Sequence, residues 1–112
     1  MDATSLYSQT LSQLDATELS MTSPQGDALI QGASAPDHQK SVQMLLDVHS
    51  ARLALANATL QSIANQLTAN EPALVAGTKA VQTSLTSLNN LTQILNTVSA
   101  LLKIVGQIVQ LI

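Results

Sequence analysis

His38 and His49 are the two imidazoles of this 112-residue chain, the side-chain type most often used to move protons. They are also its best candidates for metal ligation, since the chain has no Cys. They lie eleven residues apart, on nearly the same face of a helix but about three turns distant. Neither has a second His or a carboxylate three or four residues further on, the spacing that would put two ligands on one helix face. A metal site built from one chain is therefore not expected. Asp47 and Arg52 read as solvated side chains rather than an acid–base pair. No Gly-rich phosphate loop and no G-x-S-x-G elbow is present. Without Cys there is no thiolate nucleophile and no disulfide framework. The reading is of a protein that is not an enzyme, with no cofactor, no metal and no small-molecule substrate. Seven acids against four bases, a net charge of -3, argue against a nucleic-acid partner.

Composition sets the class of fold that must carry any remaining function. Hydrophobic residues make up 46% of the chain, yet Tyr7 is its one aromatic. Ser, Thr, Asn and Gln supply 41 residues, and the charged residues only 10%. That apolar content is too high for a disordered chain. Residues 23–36 hold Pro24, Gly26, Gly32 and Pro36, which is breaker chemistry. They form the linker that ends an acidic segment 1–36, ahead of a body 37–112. Asp2, Asp15, Glu18, Asp27 and Asp37 precede the first base, Lys40. With no basic start and no apolar leader, the expectation is cytoplasmic synthesis, with leaderless secretion open.

The body carries two heptad patterns. Val42, Leu46, His49, Leu53, Ala56, Leu60, Ile63 and Leu67 follow at spacings 4-3-4-3-4-3-4. Ser34-x-x-Asp37 resembles a capping box, and Pro36 suits a first helical turn. A helix over 36–69 would be roughly 50 Å long. Asn70-Glu71-Pro72 supplies a break. Val81, Ser84, Leu88, Leu91, Leu95, Val98, Leu102, Val105, Val109 and Ile112 form the second seam, and Gly77 extends it backward. A helix over 72–112 would be roughly 60 Å long. The fold class predicted is all-α: a long antiparallel, coiled-coil-like hairpin with its turn near 70–72. A shorter N-terminal helix over 3–21, with Tyr7, Leu11, Leu14 and Met21 in one phase, packs on it or stays a flexible head. Two sequons, at Asn57 and Asn90, fall inside the predicted helices and read as chance matches.

Function is then a question of surface. Ser, Thr, Gln and Asn stand where soluble helices usually display Lys and Glu, and they cost little entropy to bury. Between Val98 and Ile112 the polar residues form one narrow stripe of Ser99, Lys103, Gln107 and Gln110. The rest of that helix exceeds what a hairpin partner can cover. The first expectation is a structural protein that self-associates into a helical oligomer or filament. Its contacts would be Leu95, Val98, Leu101, Leu102, Ile104, Val105, Ile108, Val109 and Ile112. The second is a component of a membrane-active, pore-forming toxin or a secreted effector, whose C-terminal helix the 1–36 segment masks. The third is an adaptor docking on one helical protein partner. His49, on the first seam, is the candidate pH-sensitive core residue.

Overall fold

Each helix starts where the local chemistry supplies a cap or a proline. The computed structural model describes residues 2–109. Asp2 opens α1 (Ala3–Thr22), its carboxylate accepting the Ser5 amide at 2.8 Å. Ser23 closes α1 and caps α2 (Pro24–Gln31). Its hydroxyl donates to the Ser20 carbonyl at 2.6 Å and accepts the Gly26 amide at 3.1 Å. Gly26 permits this corner, because a Cβ there would overlap the Ser20 carbonyl oxygen. α3 (Ala35–Asn57) carries Pro36 in its first turn as expected, but Ser34 makes no side-chain cap bond. α4 (Leu60–Ala69), α5 (Glu71–Leu85) and α6 (Leu91–Ile108) complete the described chain, which is all-helical.

The long hairpin is corrected at three places. The predicted 36–69 helix breaks at Ala58-Thr59, although no Gly or Pro stands there. The Asn70 break exists, but Asn70 is neither left-handed (φ −103°) nor a side-chain cap of α5. α4 and α5 scarcely touch, so the chain turns a corner there instead of folding back. The predicted 72–112 helix breaks at 86–90, where Leu88 is left-handed (φ 49°) and the Asn90 side chain caps α6 by accepting the Gln93 amide at 3.1 Å. The tightest helix pair is α5 and α6, folded back on each other across that turn. Ser84 bonds Thr97 at 2.8 Å, and a Cβ on Gly77 would lie 3.2 Å from Leu101 Cδ1, which fixes their antiparallel register. Both sequons therefore sit at helix ends, not inside helices.

These breaks convert a rod into a bundle 42 × 26 × 19 Å, shorter than either predicted helix. α6 is the centre, with Ile94, Val98, Leu101 and Val105 almost fully enclosed by α3, α4 and α5. α1 lies across α3, α4 and α5. The acidic segment expected as a head supplies Leu6, Leu14, Met21 and Ile30 to the same core. Its inward face is Leu6, Thr10, Leu14, Thr17 and Met21, so Leu6 is in the core while Tyr7 and Leu11 stand at its edge. Two buried hydroxyls bond within their own helices: Thr17 donates to the Gln13 carbonyl at 2.8 Å and Ser41 to that of Asp37 at 2.7 Å.

Candidate interaction surface

α3 has apolar residues on two faces, and the bundle uses one. Ser41, Met44, Val48, Ala51 and Leu55 point inward and are buried. At 3.6 residues per turn, Val42, Leu46, His49 and Leu53 centre about 150° around the helix from them. That second face is the first half of the predicted seam, and it stands in solvent. Val42 is 45% exposed, Leu46 59% and Leu53 44%. The break at Ala58-Thr59 explains the split: it re-phases α4, so Ile63 and Leu67 of the same seam turn inward and are buried. Leu19, on α1, is a fourth large apolar side chain left outside, at 65%.

Beside this stripe runs a shallow groove between α1 and α3. Glu18, Thr22, Val42, Leu45, Leu46 and His49 line it. Glu18 and His49 bring polar atoms to an otherwise largely apolar wall. Glu18 Oε1 lies 3.0 Å from His49 Nδ1, and Glu18 Oε2 accepts from Arg52 Nη2 at 3.4 Å. Arg52 Nη2 is also 3.2 Å from His49 Nδ1. A protonated Nδ1 donates to Glu18. A bare Nδ1 accepts from Arg52. One nitrogen serves one partner at a time. The cluster ties α1 to α3 at the surface, where an ion pair contributes at most about 1 kcal/mol. His49 is thus corrected from a core residue to an exposed one, and its burial as the basis of pH sensitivity falls away.

The C-terminal residues expected to be a contact surface lie elsewhere. Val98, Leu101, Leu102, Val105, Ile108 and Val109 are buried in the chain's own core, and Leu95 and Ile104 pack against it. Ile112 lies outside the described residues. α6 is the one described helix long and apolar enough to cross a membrane by length and composition. Among the described residues no three His, Asp or Glu side chains gather as a metal site. The stripe on α3 escaped the sequence reading because a heptad pattern shows that a face is apolar, not which partner covers it.

No protein-family model matches the chain, and no curated protein or solved structure matches it either.

Proposed function

We propose that this chain is a non-enzymatic helical interaction protein that self-associates through the outward face of α3. The observation that carries the reading is the stripe of Val42, Leu46 and Leu53, with His49 completing its 4-3-4 spacing. These side chains are 44–59% exposed on a helix whose other apolar face is already filled. Water disfavours a contiguous apolar ridge, and heptad spacing is the pattern that a second helix covers. The coiled-coil-like pairing then falls between chains, and the C-terminal helix serves as the core that holds α3 in place. On the flank away from α1, Gln43 and Ser50 carry no charge that association would have to desolvate, and on the other flank Arg52 is already paired with Glu18.

The test is absolute mass by light scattering across a hundredfold dilution, for the parent and for the Leu46→Glu, Leu53→Glu variant. The parent is expected near twice its 11.7 kDa chain mass at the concentrated end, and the variant at one chain mass throughout. A parent that stays at one chain mass overturns the reading, as does a variant that associates like the parent.

The composition of α6 supports a second reading, a membrane-active protein that opens its bundle on lipid. The cover over α6 is α3, α4 and α5 more than the 1–36 segment. Release of dye from anionic vesicles by the full chain favours this reading, and intact vesicles count against it.

A further inference from the structure

Resting on that self-association, we propose that the second copy docks antiparallel, α3 against α3. Val42 then faces Leu53 of the second copy, and Leu46 faces its His49. The stripe itself permits this direction. Its 4-3-4 spacing reads the same from either end, so a reversed copy meets it with all four layers in register.

Charge placement argues for it. A parallel pair would set Arg52 level with Arg52 and His49 with His49 beside the seam. In the antiparallel register each Arg52 is level along the axis with position 43 of the other copy. The two guanidinium groups are then about nine residues, roughly 14 Å, apart along the axis. That exceeds the screening length of about 10 Å at ordinary salt. Opposed helix dipoles favour this direction as well.

The flanks also fit. Leu45 and Arg52 lie on the side of α3 nearest α1, and antiparallel pairing brings like flanks together. Arg52 of the second copy therefore arrives beside Leu45, at the groove whose one formally charged wall residue is Glu18. Asp47 and Lys40 lie on the opposite flank. There they line a separate groove with Leu95, Asn96 and Ser99 of α6, away from the seam. His49, facing Leu46 of the second copy, keeps Glu18 and Arg52 as its charged neighbours.

The chain has no Cys, so introduced cysteines report alone. Val42→Cys and Leu53→Cys proteins are oxidised each alone and as an equimolar mixture made before the oxidant is added, with helicity checked by circular dichroism. A disulfide needs Cα atoms within about 7 Å. In the antiparallel register equivalent positions are about eleven residues, roughly 16 Å, out of step. The mixture is expected to give a disulfide-linked dimer at about tenfold the yield of either protein alone. Efficient cross-linking of each variant alone means a parallel pair, which overturns this register and leaves self-association standing. No cross-link in any combination, with a parent at one chain mass by light scattering, overturns both. No cross-link with a parent at twice that mass moves the contact off α3.

Discussion

The Tyr7 phenol donates a hydrogen bond to the Leu55 carbonyl at 3.1 Å, with the Ala56 carbonyl at 3.4 Å. In an unbroken helix those two carbonyls would accept from the amides of residues 59 and 60. α3 ends at Asn57, where the Leu55 carbonyl keeps the Ala58 amide at 3.2 Å, and the one aromatic of the chain adds a hydroxyl donor beside it. Tyr7→Phe keeps the ring and removes the donor. It should cost about 1 kcal/mol and lower the melting temperature by several degrees. Unchanged urea unfolding would mean that solvent satisfies those carbonyls equally well.

Leu88 holds φ 49° in the turn between α5 and α6, a conformation costing roughly 1–2 kcal/mol for a residue with a Cβ. Its side chain packs against the core, which offsets that strain. Leu88→Ala and Leu88→Gly both lose the packing, and only glycine relieves the backbone. Leu88→Gly should therefore be the more stable of the two by about 1 kcal/mol, the reverse of their order in a helix. Ala above Gly in thermal unfolding would show that the turn is not left-handed in solution.

Helix content and the proline-led starts of α3 and α5 were legible in the sequence, because apolar spacing and caps are local; α2 was not, since Pro24, Gly26 and Gly32 read as breakers where Pro24 in fact opens a helix. Nor were the breaks legible. Ser87-Leu88-Asn89-Asn90 carries turn chemistry, yet Leu88 and Leu91 keep the seam's spacing, and spacing alone argued for a continuous helix. The end of α3 meets the Tyr7 hydroxyl, about fifty positions away, a contact that no local pattern reveals. Once those breaks exist, the phase of each helix resets. That is why Leu46 faces water and Leu67 does not, although the same heptad seam links them.

Gly26 sits where α2 leaves α1. A Cβ there would overlap the Ser20 carbonyl oxygen and lie 2.8 Å from Met21 Cα. Both obstacles are backbone, so the corner must open. Met21, buried just before it, would shift with it. Gly26→Ala should destabilise by about 1–3 kcal/mol, against the usual gain from Gly to Ala in a helix. A stabilised variant in urea unfolding would mean a looser corner.

Asp2 supplies the pH dependence of α1. The hydrogen bonds from the Ser5 amide and hydroxyl favour its charged form and hold its carboxyl below the ordinary 3.8. A carboxylate with a depressed folded value adds stability that is complete above 3.8 and lost as pH falls through the folded value. Asp2→Asn keeps a cap acceptor that does not titrate. The parent should therefore lose stability relative to Asp2→Asn as pH drops below about 4, with their difference constant above about 5. Parallel stability curves down to pH 2 would exclude this cap as a contributor.

Leu46 and Leu55 lie on opposite faces of α3, and their substitutions separate a fold role from a contact role. Leu55 is 1% exposed. Truncating it to Ala leaves a cavity among fixed neighbours and should cost about 2–5 kcal/mol at any protein concentration. Leu46 projects into solvent, so Leu46→Ala should change the stability of the single chain by no more than about 0.5 kcal/mol. In concentrated samples the parent gains stability from association and the variant does not, because a contact made by folded chains stabilises by mass action. Melting curves at two concentrations a hundredfold apart read both effects. A large loss for Leu46→Ala at the dilute end would place this residue in the core, and the exposed stripe would have to be abandoned.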